Sequence, residues 1–310
     1  MKQHDVIIVG GSFAGLSAAM TLGRSLRKVL VIDSGKPCNQ QSPHAHNFLT
    51  RDGDTPADLL ATAKAQVLHY PTITFRHDHV DSAEKQDDLF RVSTETGEVF
   101  RAKVLLLATG VADQMPDIKG FAECWGISVL HCPYCHGYEV REQKIGLFGN
   151  GDAGFELARL IQHWSKNLTL FTHGPSTLSH QQSDVLRQKG IAMIESELME
   201  VEHKGGQLCA LRTRDGLRHH LDAMFARVAF KQHSDLAQQI GCVHADMGLT
   251  VADEFGRTNI EGVYVVGDSS SFARQISAAS ASGAKAGIRI NMTFMETETS
   301  LTWDAATGVA

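Results

Sequence analysis

Cys132-Pro133-Tyr134-Cys135-His136-Gly137 lies between two glycine-rich turns, Gly10-Gly11-Ser12-Phe13-Ala14-Gly15 and Gly149-Asn150-Gly151-Asp152-Ala153-Gly154. Two thiols at this spacing can close to a disulfide and reopen, and one of them can have a depressed pKa. Near βαβ units such a pair reads as a redox dithiol. Dinucleotide cofactors, which turns of this kind bind, carry the electrons that a dithiol cannot pass on alone. Two other readings of the pair explain less. Cys-x-x-Cys-His also matches covalent haem attachment, but that leaves both nucleotide turns without a purpose. A zinc site needs a second pair of ligands, and none has the right spacing. His136 follows the second cysteine directly. An imidazole there could take a proton from one thiol or give it to the other. It could equally be a loop histidine, one of 16 in the chain.

The first turn follows an apolar run, Val6-Ile7-Ile8-Val9, and precedes a helical pattern. Glycines there allow a tight turn and close approach of a pyrophosphate to the helix N-terminus. Asp33 stands at the distance where an acid binds a ribose hydroxyl, although Ser12 replaces the middle glycine of the pattern. These features predict a dinucleotide bound on Gly10, Ser12, Ala14, Gly15 and Asp33. The second turn is complete in glycines. Its following strand ends in Phe171-Thr172-His173-Gly174-Pro175-Ser176-Thr177, with no carboxylate for a ribose and no arginine for a 2′-phosphate. Two readings stand for it. It is a nicotinamide site on Gly149, Gly151, Asp152, Ala153 and Gly154, or a retained fold whose site has weakened.

The elements that must position these residues form an α/β pattern. A strand over 5–10, a helix over about 15–24 and a strand over 28–33 open the chain as βαβ. A helix is expected over 55–70, with Pro56 in its first turn. Antiparallel strands are expected from Ile73 to Leu107, with Thr96-Gly97 as a turn. A second βαβ spans 144–172. A buried strand over 263–266 and a helix over about 277–295 follow; the helix opens with small residues that let a backbone or ligand approach closely. Residues 297–310 read as a loose tail.

The bulk properties narrow the function classes. The chain has 310 residues, enough for two domains, with 43% hydrophobic and 21% charged residues. A net charge of −6 gives no general attraction to nucleic acid or acidic membranes. No apolar run is long enough for a signal peptide or a membrane span, so a cytoplasmic location is expected. Cys38, Cys124, Cys209 and Cys242 lack motif spacing and read as packed small residues. His44 and His46 read as polar loop residues rather than catalysts.

Together these motifs resemble the low-molecular-weight thioredoxin reductases over nearly the whole chain. The likeness rests on Gly10–Gly15 with Asp33, Ala108-Thr109-Gly110, Cys132–Cys135, Gly149–Gly154, the run Gly262-Val263-Tyr264-Val265-Val266-Gly267-Asp268, and Arg274-Gln275. It implies two Rossmann-like dinucleotide-binding domains of the three-layer ββα type. It places FAD on the first turn, with Asp33 at the adenosine ribose and Asp268 at the ribityl chain. Asn47, Gln275 and the start of the last helix at Ile276 would approach the flavin. Thr109, Gly110, Gly267 and Arg274 would complete the FAD site. It implies an FAD domain from 1–112 and 246–310, an inserted domain from 113–245, and a homodimer.

The chain departs from true thioredoxin reductases in three places. His136 stands where they carry an acid. His173-Gly174-Pro175-Ser176 replaces their arginine-rich loop. His46-Asn47-Phe48-Leu49 differs from their loop before the flavin. In these features the chain is similar to the gliotoxin- and holomycin-type dithiol oxidases. That likeness implies an FAD enzyme that closes a disulfide in a small dithiol, with oxygen as acceptor. It implies attack at Cys132, Cys135 nearest the flavin, and His136 as acid/base. The alternative is an NADPH-dependent enzyme reducing a thioredoxin-like protein. A third reading is a flavin-binding redox sensor that reports to a partner. Whether NADPH serves as donor stays open, and no nucleic acid or membrane partner is expected.

Overall fold

The strand β1 (Gln3–Val9) alternates its side chains between two buried layers. Val6 and Ile8 face one, Ile7 and Val9 the other. A strand buried on both faces belongs in the middle of a parallel sheet. In the computed structural model, which describes residues 3–299, that is its place. The turn after β1 leads into α1 (Phe13–Arg24), then β2 (Val29–Asp33), α2 (Pro56–Leu68) and β3 (Ile73–His77). The strands β4 (Val80–Gln86), β5 (Leu89–Thr94) and β6 (Val99–Leu107) follow. They form one sheet in the order β3-β2-β1-β6-β5-β4. Only β4, β5 and β6 pair antiparallel. The expectation of antiparallel strands from Ile73 fails for β3, which runs parallel beside β2. An isolated five-residue strand carries no sign of its direction.

The chain crosses out of this unit through β7 (Val111–Asp113). The second unit contains the short helix α3 (Phe121–Cys124), β8 (Val129–Leu130), the one-turn helix α4 (Pro133–His136), β9 (Ile145–Phe148), α5 (Gly151–Ile161) and β10 (Leu168–Phe171). It continues with α6 (His180–Gln188), β11 (Ala192–Ile194), β12 (Leu198–Lys204), β13 (Gln207–Thr213), β14 (Arg218–His220) and β15 (Ala223–Ala226). Its parallel sheet has the order β11-β10-β9-β15-β8, and β12, β13 and β14 form a separate antiparallel sheet. The chain returns through β16 (Phe230–Gln232), which pairs with β7. Then come α7 (Leu236–Ile240), β17 (Val263–Val265) and the last helix, α8 (Ile276–Thr299).

Each unit is a Rossmann-like fold with its own core. In the first, α1 and α8 cover one face of the sheet, and the opposite layer holds Phe90, Val92 and Leu236. The small residues opening α8 serve close packing, as the sequence suggests. A Cβ on Gly283 would lie 2.0 Å from the carbonyl oxygen of Ala14. In the second, Leu147, Leu157, Ile161 and Leu170 share one cluster.

The first unit holds 3–38, 57–112 and 231–299 of the described residues, and the second holds 39–56 and 113–230. The return therefore falls at Lys231 rather than at 246. Leu236, Ala237 and Cys242 are buried in the first unit's core, which draws 231–245 into it. The segment 39–56, expected in the first unit, folds with the second. Residues 297–299 of the expected tail belong to α8, and residues 300–310 lie outside the described residues. No helix among the described residues is long and apolar enough to cross a membrane.

Candidate active site

Gly10 ends β1 with φ +104°, and a Cβ there would lie 2.2 Å from the carbonyl oxygen of Ala108. Only glycine lets the chain turn so tightly against the end of β6. Ser12 then occupies the N-cap of α1 without a side-chain cap hydrogen bond. The first backbone N–H groups of a helix have no partner within it, so this end is built to receive an anion. Asp33, at the end of β2, accepts a hydrogen bond from the Gly11 N–H at 2.9 Å. The remaining residues expected around FAD in this unit gather at the same carboxyl ends of parallel strands. Thr109 and Gly110 follow β6. Gly267 abuts the start of α1, a Cβ on it lying 3.0 Å from Cβ of Ala14. Thr109 Oγ1 lies 3.3 Å from Ser269 Oγ. Arg274 Nε pairs with Asp268 Oδ2 at 3.5 Å, both side chains largely buried. Gln275 and Ile276 lead into α8. A dinucleotide crevice outside the carboxyl ends of such a sheet is the general position for this fold, and the turn, helix end and acid fit one. Asn47 belongs to the 39–56 segment of the second unit, with φ +62°.

In the second unit, Cys132 and Cys135 are joined as a disulfide with Cα atoms 5.3 Å apart. Cys132 is the N-cap of α4 and Pro133 opens that helix, whose fixed φ suits the first turn. The turn closes at Gly137, whose N–H donates to the Pro133 carbonyl at 2.7 Å. A Cβ on Gly137 would lie 2.4 Å from that carbonyl oxygen and 2.8 Å from Nε1 of Trp164. Trp164 in turn meets Tyr134 edge-on at 5.6 Å.

Cys135 lines a concave site of about 360 Å³ together with Pro133, Tyr134, Tyr138, Glu139 and Trp164. His46, Asn47 and Asp52 of the 39–56 segment form its other wall. Cys132 is not among the lining residues. The loop wall is braced by its own backbone. Ala45 and Asp54 exchange a hydrogen bond, as do Gly53 and Ala45, and the Asn47 N–H donates to Asp52 Oδ1 at 2.7 Å. His46 meets His136 edge-on, ring centroids 6.4 Å apart. Its Nδ1 lies 3.6 Å from Asp52 Oδ2 and its Nε2 3.6 Å from Glu139 Oε1. His136 Nε2 lies 3.4 Å from Ser42 Oγ. Burial holds the His136 imidazole below the ordinary histidine pKa. Glu139 pulls it upward and His46 pushes it further down. A neutral His136 near pH 7 is therefore an available proton acceptor. His46, read from the sequence as a loop residue more than as a catalyst, lies in this group. His136 and Glu139 lie some ninety residues away, and the loop has no periodicity to announce them.

The second glycine turn is occupied by its own side chains. Asn150 caps α5, its Oδ1 accepting from the N–H of Gly151 and of Thr177, each at 2.8 Å. Its Nδ2 donates to the carbonyls of Thr172 and Pro175. Asp152 accepts from Gln182 Nε2 at 2.7 Å. Ala153 and Gly154 lie in the first turn of α5, where a Cβ on Gly154 would lie 2.8 Å from the Gly149 carbonyl oxygen. The recognition loop has no carboxylate of its own but meets one from elsewhere in the chain. Glu195, just past β11, accepts from the Ser176 N–H at 2.8 Å. Parallel pairing of β10 with β11 brings this acid across, and the local sequence of the loop could not show it.

Two of the four remaining cysteines depart from expectation. Cys124 and Cys242 are buried, and burial raises the Cys124 thiol to about 11. Cys38 and Cys209 are exposed. Cys209 occupies an outward position of β13, and Cys38 Sγ lies 3.8 Å from Asp268 Oδ2. Among the described residues no cluster suited to a metal ion occurs.

Residues 4–285 match the family model described as pyridine nucleotide-disulphide oxidoreductase. The chain belongs to that family. It is 31% identical over 300 residues to thioredoxin reductase tcpT of Claviceps purpurea, covering 91% of this chain and 92% of that one. The crystal structure of putative thioredoxin reductase TrxB from Bacillus anthracis matches with a TM-score of 0.92 at 29% identity, over 95% of this chain and 99% of that one. The crystal structure of HlmI matches with a TM-score of 0.90 at 30% identity, over 96% and 94%. The chain is thus a thioredoxin reductase-like flavoenzyme of thiol–disulfide chemistry, with FAD as its cofactor.

Proposed function

We propose that this enzyme oxidises a small dithiol to a disulfide through Cys132 and Cys135, with oxygen as the final acceptor. The observation that carries this reading is the state of the second glycine turn. Asn150 holds the recognition loop against it, and Glu195 stands beside Ser176 where an NADPH-dependent enzyme needs a cation for the 2′-phosphate. That argues for electrons entering from the thiol side.

In this reading a substrate thiolate attacks Cys132, the Cys132–Cys135 bond breaks, and Cys135 leaves as a thiolate. The second substrate thiol then attacks its partner sulfur, and Cys132 leaves in turn. Cys135 as the inner member is supported by its place on one concave surface with Asn47, the residue expected to approach the flavin. His136 is the proposed base for the attacking thiol. Gly10, Ser12, Ala14, Gly15, Asp33 and the Gly267–Ile276 region are proposed to hold FAD, which when bound supplies the two-electron acceptor for the reduced pair. We further propose that the enzyme works as a homodimer in the cytoplasm.

The test is anaerobic rapid mixing of the yellow protein with dithiothreitol, NADPH and NADH separately, followed by admission of oxygen. The dithiol should bleach the flavin fastest and oxygen should restore it with peroxide formed. Fast bleaching by NADPH, with slow return in oxygen, would instead establish the reductase alternative.

A further inference from the structure

Oxidising a dithiol releases two protons along with two electrons, and His136 alone can accept only one. The wall opposite α4 supplies a second imidazole. His46 lines the same concave site as Cys135 and is one-fifth exposed. Its two ring nitrogens each face a carboxylate at 3.6 Å, Asp52 on its own loop and Glu139 beyond α4. The Asn47 N–H fixes the other oxygen of Asp52. Further titratable neighbours are the rings of His136 at 6.4 Å and His44 at 6.3 Å, His44 Nδ1 being engaged with the Gly53 carbonyl at 2.9 Å, and Tyr134 and Tyr138 line the same concave site.

We propose that His46 is the second proton acceptor of the dithiol reaction, with Asp52 and Glu139 compensating the charge it gains. The inference rests on the dithiol-oxidising reading above. The two imidazoles divide the work by environment. Burial lowers the His136 pKa, so a lasting positive charge is costly there. His46 sits between two carboxylates, each 3.6 Å from a ring nitrogen.

The balance closes. One substrate S–H gives its proton to one imidazole as its sulfur bonds to Cys132, and the electron pair of the broken disulfide goes to Cys135. The second S–H gives its proton to the other imidazole as the substrate S–S bond forms, and Cys132 takes the second electron pair. The substrate is oxidised by two electrons and the protein disulfide is reduced by two.

The experiment mixes FAD-loaded wild type, His46→Gln and Glu139→Gln with dithiothreitol without oxygen, and follows flavin bleaching from about pH 6 to about pH 9. A thiol ionises unaided near about pH 8.5. His46→Gln should therefore bleach about a hundredfold more slowly near neutrality, in the range of a lost general base, and the deficit should close as pH rises. Glu139→Gln should show a smaller deficit with the same pH dependence. It changes an exposed side chain and stands in should His46→Gln fail to hold FAD. A deficit equal at every pH would mark His46 as structural, and no deficit would remove it from the reaction; either overturns the inference. A wild type that dithiothreitol does not bleach overturns the dithiol reading itself, and this inference with it.

Discussion

The side-chain oxygen of Asn150 lies 2.8 Å from the backbone N of Thr177 and 3.2 Å from its Oγ1. One amide thus ties the end of the recognition loop to the N-terminus of α5. With Glu195 bonded to Ser176, the loop presents an acid and no arginine. NADPH should therefore reduce the flavin slowly and saturate weakly. A missing charge-assisted contact costs about 1.5–3 kcal/mol, about ten- to a hundredfold in affinity. Glu195→Gln should improve saturation, more at low salt than at high, because the repulsion it removes is screened. Rapid reduction of wild type at micromolar NADPH would contradict this.

Gly10→Ala should give a colourless protein. The new Cβ meets a backbone carbonyl, and φ +104° is closed to alanine. Strain of that kind costs about 1–3 kcal/mol before the clash is counted, and relief requires opening the turn that faces the cofactor. Flavin absorbance per protein and thermal unfolding are the readouts. Retained colour at wild-type stability would show that the turn is more pliant than its geometry indicates.

Cys132→Ser and Cys135→Ser should each abolish dithiol turnover, since each sulfur serves one half of the exchange. Only Cys135→Ser, mixed with the disulfide form of the substrate, should accumulate a mixed disulfide, as Cys132 attacks that disulfide and one substrate sulfur leaves as a thiolate; it is detectable as added mass on Cys132. Turnover surviving in both variants would remove the pair from the mechanism.

His136→Ala should slow bleaching by dithiols about a hundred- to ten-thousandfold. The neutral imidazole is the active form. Because burial lowers its pKa, the wild-type rate should hold through neutrality and fall only as pH drops below the ordinary histidine range, about 6.5. Profiles that coincide in height and shape for wild type and His136→Ala would reduce His136 to a loop residue.

Alkylation of the native protein should mark Cys38 and Cys209 and spare Cys124 and Cys242. Burial keeps the latter two as unreactive thiols, Cys124 at about 11. Peptide mass mapping before and after unfolding checks it. Fast labelling of Cys124 in native protein would mean that its core opens readily.

Local chemistry was legible in the sequence, and long-range placement was not. Gly10 and Asp33 could be read together because a strand, a turn and a helix between them have regular periods. The same holds for Pro56 at the start of α2 and for the one-turn geometry of Cys132–Cys135. Glu195, His46 and the return at Lys231 escaped because each depends on which strands or loops become neighbours. Cys209 escaped for a different reason. On β13, whose Leu208 and Leu211 face the core, alternation alone does not say which face is outward.

The 39–56 segment interrupts the first unit and folds with the second, so the chain passes between units four times, not twice. This makes the redox motif non-modular. A cut at the two obvious borders, 113 and 230, would carry Cys132, Cys135 and His136 but leave His46 and Asp52 behind. Chimeras that exchange the inserted unit between relatives would thus inherit a thiol pair from one parent and its facing wall from the other. Recombination can preserve the matched set only by moving two stretches of gene at once.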